Sequence, residues 1–425
     1  MSGNDFPVEM LRRRFPALRT AGSEVFFDNA AGAQVPDGVI EEVGHHLIGR
    51  NVQRGGRYPR SLAVDAMISR ARAHVAAFVN AQRPEEIAFG MNATSFIRMV
   101  SLAIGQMLDE RDEIIVTDLD HEANIATWLA LERMGAKVRW WPMRQDGRLN
   151  PQDLRPVLGP RTRLVACALT SNAIGSIVDV RAAADLAHAA GAEIFIDAVH
   201  YGPHGIIDVQ ALDCDYLVCS GYKIFSPHMG FLWGRHEALV RLPSFREDFI
   251  PDEPPGKLEA GTFIYENVAG MAAAIDYLAG VGRTVTGRAG PTCESSLRED
   301  CRAAMAAIRD YEQGLSRALL RALRDCGAEI YGLREEEQLR ERVPTVCFNI
   351  PGIAPVAVTQ AAAAAGIAVR DGHMYSPRLM RRLGLAVETG AVRASLVHYN
   401  TIGEVKRLGD VLARLPRAAP PAAAR

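Results

Sequence analysis

Cys219-Ser220-Gly221-Tyr222-Lys223-Ile224-Phe225 is the stretch on which the reading of this chain turns. The apolar run Tyr216-Leu217-Val218-Cys219 leads into it as a buried strand, Ser220 and Gly221 end that strand, and a lysine follows at once. Upstream, a second apolar run, Glu193-Ile194-Phe195-Ile196, ends in a lone carboxylate, Asp197. A strand ending in Asp followed by a strand ending in Ser-x-x-Lys suits an enzyme that uses pyridoxal phosphate. Lys223 would form the Schiff base and later move the α-proton, and Asp197 would keep the pyridine nitrogen protonated. A structural lysine would sit on a solvated surface rather than between Tyr222 and Ile224-Phe225. The plainer reading of Asp197 is a helix N-cap after a strand.

From Ile87 onward strand-like and helical patterns alternate, which predicts an α/β fold with a mostly parallel, doubly wound sheet. Seven strands are expected, at 87–89, 113–117, 137–141, 163–168, 193–196, 216–219 and 230–233. Ligands of such sheets gather beyond the carboxyl ends of the strands. The first strand ends in Gly90-Met91-Asn92-Ala93-Thr94-Ser95 before an apolar helical run. Free N–H groups at a helix start can cradle a phosphate, although N-capping alone would explain Thr94 and Ser95. The second strand runs into Asp118-Leu119-Asp120-His121; a lone histidine is more often structural, yet this imidazole can stack on a planar cofactor. The fourth ends in Thr170-Ser171-Asn172, whose amide can donate to a phenolate oxygen. The fifth brings Asp197 and His200, the sixth Ser220 and Lys223. Each signal alone is weak; their convergence on one sheet edge is the argument.

The rest of the chain sets bounds. At 425 residues, 48% hydrophobic and 23% charged, it has the composition of a globular enzyme, not of a disordered chain. A formal net charge of -2 gives no ground for a nucleic-acid or acidic-membrane partner. Arg12-Arg13-Arg14 is cut short by Phe15-Pro16 and reads as a solvated helix face. Seven cysteines without C-x-x-C spacing argue against a zinc site and a disulfide framework, so no metal is expected. Residues 1–9 hold no apolar signal core and no uncharged apolar run reaches membrane-spanning length, so the expected location is the cytoplasm. Phe6, Met10, Leu11 and Phe15 have helix-compatible spacing in an N-terminal arm, and helical patterns cover 39–48 and 62–79. Between them Asn51-Val52-Gln53-Arg54-Gly55-Gly56-Arg57 is a basic glycine-rich loop, equally readable as a solvent turn or as a substrate contact.

With these residues placed, the chain resembles the class V aminotransferase superfamily, in its cysteine desulfurase and selenocysteine lyase branch. Asp28-Asn29-Ala30-Ala31, Asp120-His121-Glu122-Ala123-Asn124, Asp197-Ala198-Val199-His200, Ser220-Gly221-Tyr222-Lys223 and Glu259-Ala260-Gly261-Thr262 fall in the family's order, and the likeness extends to Tyr399-Asn400-Thr401. The resemblance implies the type I fold of pyridoxal phosphate enzymes. An arm (1–29) would pack on a small α+β domain (285–425, with a disordered tail from about 416), beside a large cofactor-binding domain (30–284). It implies that Lys223, His121 and Asp197 are catalytic, His121 stacking on the cofactor ring. Ala93, Thr94 and Ser220 would hold the phosphate, Asn172 and His200 would flank the phenolic oxygen, and Tyr222 would complete the cofactor shell. Thr262 would reach the phosphate of a partner subunit, which makes the protein a homodimer. Arg393 would grip the α-carboxylate of an amino-acid substrate by its bidentate fork, with Asn29, Arg54 and Tyr375 also on the substrate side.

Three departures bear on activity. The family usually has histidine at Tyr222, and many members have glutamine at His200; both changes keep a hydrogen-bonding group. The third lies in Val369-Arg370-Asp371-Gly372-His373-Met374-Tyr375, where persulfide-forming desulfurases carry their nucleophilic cysteine near the end of the segment. Here Tyr375 takes that place, and neither Met374 nor Ser376 is a thiol. Persulfide transfer needs a thiolate; Cys293 and Cys301, in and beside the polar segment 287–300, are the candidates to replace it. The expected reaction is therefore α,β-elimination with C–S cleavage of cysteine or a cysteine conjugate, with epimerisation or transamination as the alternative. A non-catalytic relative is disfavoured by the intact Lys223, Asp197 and Arg393. A nucleotide-binding protein is set aside because no G-x-G-x-x-G follows the first strand.

Overall fold

The computed structural model describes residues 6–288, 290 and 296–416. Strand β1 (Val25–Phe26) precedes seven strands: β2 (Ile87–Gly90), β3 (Glu113–Thr117), β4 (Lys137–Trp141), β5 (Thr162–Ala168), β6 (Glu193–Asp197), β7 (Tyr216–Ser220) and β8 (Gly230–Gly234). These seven form one sheet in the order β2-β8-β7-β6-β5-β3-β4. All neighbours run parallel except β8, which is antiparallel to β2 and β7. Every strand expected from the sequence is present, with its ends moved by one residue at most. Unbroken apolar runs such as those of β6, β7 and β8 need cover on both faces. Ile194, Ile196, Leu217, Cys219 and Phe231 enter one core, and Phe195, Tyr216, Val218 and Leu232 the other. Helix Tyr265–Thr286 closes the first face and helix Ala93–Gln106 the second. β4, at the edge, exposes Lys137 and Arg139, charges that discourage further strand pairing.

A second sheet follows from β9 (Glu329–Tyr331), β10 (Thr345–Asn349), β11 (Ile367–Ala368), β12 (Arg370–Gly372) and β13 (Ala391–Ser395). Its order is β12-β13-β10-β9, antiparallel throughout, while β11 pairs in parallel with β1. The 29-residue helix Leu297–Asp325 serves both halves. Its Cys301, Ala304, Met305 and Ile308 lie in the large core, and its Leu315, Leu319, Leu320 and Leu323 in the core beneath the small sheet.

The N-terminal arm forms two short helices, Val8–Arg12 and Pro16–Thr20, separated where Pro16 suits only a first helical turn. Arg12 donates to Tyr399 O at 2.5 Å and pairs with Glu404 at 2.9 Å, whereas Leu11 and Phe15 enter the large core. The expected tail lies almost wholly outside the described residues, as do residues 1–5 of the arm.

Candidate functional site

Lys223 lies in a tight turn, Gly221–Lys223, directly after β7. The turn is fixed by Gly221 N donating to Met229 O (2.8 Å) and Ile224 N donating to Gly221 O (2.7 Å). This holds the lysine at 5% exposure, and burial, with the Arg393 charge, pushes its amine down to about 8 against the pull of Asp197. Asp197, at the end of β6, accepts from Val199 N at 2.9 Å; burial pushes its carboxyl up, and that N–H and Lys223 draw it back.

Both residues line one cavity, together with Ala93, Thr94, His121, Thr170, Asn172, His200, Ser220 and Tyr222. His121 accepts a hydrogen bond from Ala123 N (3.1 Å) at Nδ1, which leaves its proton on Nε2. Burial, then Lys223 and Arg393, push its imidazole down to about 4, so it presents a neutral ring. Behind it Asp120 accepts from Thr117 Oγ1 (2.5 Å) and Asn124 Nδ2 (2.7 Å), and Asn124 Oδ1 accepts from Trp128 Nε1 (3.0 Å). That chain fixes the segment carrying His121. Also in the lining, Ala93 N donates to Ser220 Oγ at 3.0 Å, and Asn92 caps the helix through Ser95 N at 2.9 Å. Gly230 is what allows this cradle: a Cβ there would stand 2.5 Å from the Asn92 carbonyl carbon.

The remaining predicted residues are not part of this lining. Arg393, on β13, is 2% exposed; it donates to Asn172 O (2.9 Å) and pairs with Asp28 Oδ1 (2.9 Å). The other oxygen of Asp28 pairs with Arg370 at 2.7 Å, so one carboxylate holds two guanidiniums. Asn29 is a clasp: its Nδ2 donates to Phe26 O and Ser395 O, both at 2.8 Å, and its Oδ1 accepts from Tyr399. Tyr375 is 57% exposed, with its ring 5.7 Å from that of His121. It and Met374 both adopt left-handed backbone, φ 57° and 52°. Asn172 pins this turn, donating to Met374 O (2.7 Å) and accepting from Ser376 Oγ (3.0 Å), while Glu122 N donates to Tyr375 O (2.8 Å).

Thr262 and Arg54 come together in a separate place. Thr262 is exposed and accepts from Gln53 at 2.5 Å, and Arg54 pairs with Asp65 at 3.1 Å. Glu259 anchors that loop through a buried bidentate pair with Arg72 (2.8 and 3.1 Å). Cys301 belongs to a helix and not to a polar loop; it is 1% exposed and burial pushes its thiol up to about 12, which corrects the expectation that it is available as a nucleophile. Cys293 lies outside the described residues. Sequence reading missed Thr170 in the cavity and the Asp28–Arg370 pair. Asp28 stood in the quoted Asp28-Asn29-Ala30-Ala31 motif, but nothing local marked its partners.

Pyridoxal 5′-phosphate fits these residues. The lining offers an amine of lowered basicity, a carboxylate, a neutral flat imidazole and a helix N-terminus that a glycine keeps open. Two buried polar atoms at the site, His200 Nδ1 and Arg393 Nε, have no hydrogen-bond partner among the described residues, as expected where a bound molecule completes the set.

Comparison with known proteins agrees. The aminotransferase class-V family model matches residues 25–288 and 297–408. The aminotransferase-like protein FGM3 of Gibberella zeae is 34% identical over 420 residues, covering 96% of this chain and 98% of that protein. A cysteine desulfurase of Serratia proteamaculans is 33% identical over 97% of this chain and 99% of its own length. The solved cysteine desulfurase of Thermococcus onnurineus superposes with a TM-score of 0.84 at 26% identity, over 95% of this chain and 97% of that one. With the sheet order, the buried lysine and these matches in agreement, the chain belongs to the aminotransferase class-V family, on its cysteine desulfurase-like side.

Proposed function

We propose that this pyridoxal 5′-phosphate enzyme cleaves the β-carbon–sulfur bond of cysteine or a cysteine conjugate by α,β-elimination, with no protein persulfide. In balance, the amino acid and one water give pyruvate, ammonium and a free thiol or sulfide. The observation that supports the reading is the Tyr375 ring 5.7 Å from that of His121, in the segment where the resemblance expects the usual nucleophile, while every cysteine among the described residues is buried. When bound, the cofactor supplies a sink for the electron pair released at the substrate Cα.

The chain's own groups do the rest. Arg393 holds the substrate carboxylate, pre-aimed by Asp28. Lys223, with its amine near neutrality, takes the proton from Cα. His121, whose single proton is on Nε2, is the donor for the departing sulfur. Asp197 would keep the ring nitrogen protonated; Ala93 N, Thr94 and Ser220 would hold the phosphate, and Asn172, His200 and Tyr222 would lie around the ring. Among the described residues, Lys223 is the only lysine or arginine lining the cavity, which supports a homodimer in which Thr262 of each chain serves the other's phosphate. No helix among the described residues is long and apolar enough to cross a membrane; a cytoplasmic location is part of the proposal.

The test is to incubate purified holoprotein with L-cysteine and with an S-alkyl cysteine, measuring pyruvate and thiol. Equal yields of both support the elimination. An aminated or inverted product without pyruvate overturns it in favour of transamination or epimerisation, the reading that the name of the Gibberella zeae relative favours.

A further inference from the structure

From His200, in the cavity lining, a run of buried polar groups leads away, and the proposed reaction leaves all but His200 unused. His200, His204, Glu312, His398 and Tyr277 are each less than a tenth exposed. His200 Nε2 stands 3.0 Å from Thr345 Oγ1, and its ring meets that of His204 edge-on at 5.3 Å. His204 Nδ1 is 2.8 Å from Glu312 Oε2, and His398 Nε2 is 2.7 Å from the Tyr277 hydroxyl. These groups come from the segment after β6, from β10, from helices Leu297–Asp325 and Tyr265–Thr286, and from the segment after β13. Only His200 lines the cavity.

A buried carboxylate–imidazole pair is weak evidence of stabilisation, since well-packed apolar residues of similar volume do as well or better. Its placement suggests another use. Unlike an amide, histidine has several protonation states, and only a fixed one gives a constant hydrogen-bonding edge. We propose that Glu312 is a positioning residue for the cofactor site, acting through His204 to hold His200 neutral and in one orientation beside bound pyridoxal phosphate. The inference rests on the reading that this cofactor occupies the cavity.

The electrostatics run the same way. His200 is pushed well down by burial first, then by His204, Lys223 and Arg393; Glu312 is not among the groups acting on it, so it reaches His200 only through His204. Glu312 is pushed up by burial and drawn back by His204, by Arg309 on its own helix and by the His398 backbone; Tyr201 and Tyr311 are the other titratable groups beside it. Loss of the carboxylate removes the partner that fixes the His204 ring and, through the edge-on contact, the orientation of His200.

The experiment is a pH titration of the visible absorption of the holoprotein for the parent, Glu312→Gln, His200→Gln and the double variant. Glu312→Gln is expected to keep the band and to move its transition by about half a pH unit, the order expected when a hydrogen-bonding group beside the cofactor is reoriented. The double variant is expected to match His200→Gln alone. No shift in Glu312→Gln, or the same shift with glutamine already at 200, overturns the proposal. Should Glu312→Gln not fold, Thr345→Val is expected to move the transition in the His200 protein only, and failure to do so overturns the proposal equally. A parent protein with no visible band would instead refute the cofactor reading itself.

Discussion

The two walls of the site are built differently. One is made of strand ends: Ala93 and Thr94 beyond β2, His121 beyond β3, Asn172 beyond β5, Asp197 and His200 at β6, Ser220 and Lys223 at β7. The other comes from the small sheet and its loops, with Arg393 on β13, Arg370 on β12, the turn at Met374 and Tyr375, and Asp28 reaching across from the N-terminus. The first wall is rigid because its residues end strands buried on both faces. The second is held by contacts between parts of the chain more than 300 residues apart, such as Asp28 with Arg393. In the proposed function the first wall takes the cofactor and the second meets the substrate. A fold that hosts several reactions is expected to vary its second wall.

If the first wall carries the chemistry, Lys223→Ala should have the largest effect. Activity is expected to fall by at least about a thousandfold, the upper range for a positioned acid–base group, with removal of covalent capture added to it. Reverse-phase mass analysis after borohydride treatment should show the cofactor on the parent chain and not on the variant. Retention of the cofactor mass on Lys223→Ala would move the reactive amine elsewhere and dissolve the distinction between the walls.

The next effect concerns pH. The lysine of a free peptide titrates near 10.4, whereas burial and the Arg393 charge bring Lys223 to about 8. Only the unprotonated amine attacks an aldehyde. Capture of pyridoxal 5′-phosphate by cofactor-free protein should therefore speed up as pH rises, level off above pH 8 and slow about tenfold per unit below it. Stopped-flow absorbance would record this. A rate still climbing at pH 10 would mean that the desolvation inferred for this wall is absent in solution.

Legibility followed the same divide. The seven strands and the residues at their ends were readable because period, composition and terminators are local signals, and nine predicted residues converge on one cavity. β11 and β12, two and three residues long, carried no such signal. Nor did the pairing of Asp28 with Arg370 and Arg393, since a charge 342 positions away leaves no mark on its neighbours. Cys301 misled for the same reason: its polar surroundings in sequence hid the apolar stripe of a helix beginning at Leu297.

Asp28→Asn probes the second wall directly. It keeps the shape but removes the charge that two guanidiniums share, one of them almost fully buried. Weakening a charge-assisted pair of this kind is worth about 1.5–3 kcal/mol, so KM for the amino acid should rise about tenfold or more while the spectrum of the bound cofactor stays unchanged. A changed spectrum with constant KM would place Asp28 on the cofactor side and erase the division of labour.

The smallest expected effect sharpens the comparison most, because it separates strain from packing at Tyr375. Left-handed backbone disfavours an L-residue by roughly 1–2 kcal/mol, and glycine relieves that while losing about 0.5–1 kcal/mol to its greater freedom in the unfolded chain. The Tyr375 side chain is more than half exposed, so little burial is lost on removing it. Tyr375→Gly should therefore leave stability unchanged or raise it by up to about 1 kcal/mol in urea unfolding, while the ratio of turnover between cysteine and bulky S-alkyl cysteines shifts toward the bulkier. A loss of about 2 kcal/mol with the ratio unchanged would show that the ring is structural packing. The strained turn pinned by Asn172 and Glu122 would then serve the fold, and the determinant of substrate choice would have to be sought at Arg370 instead.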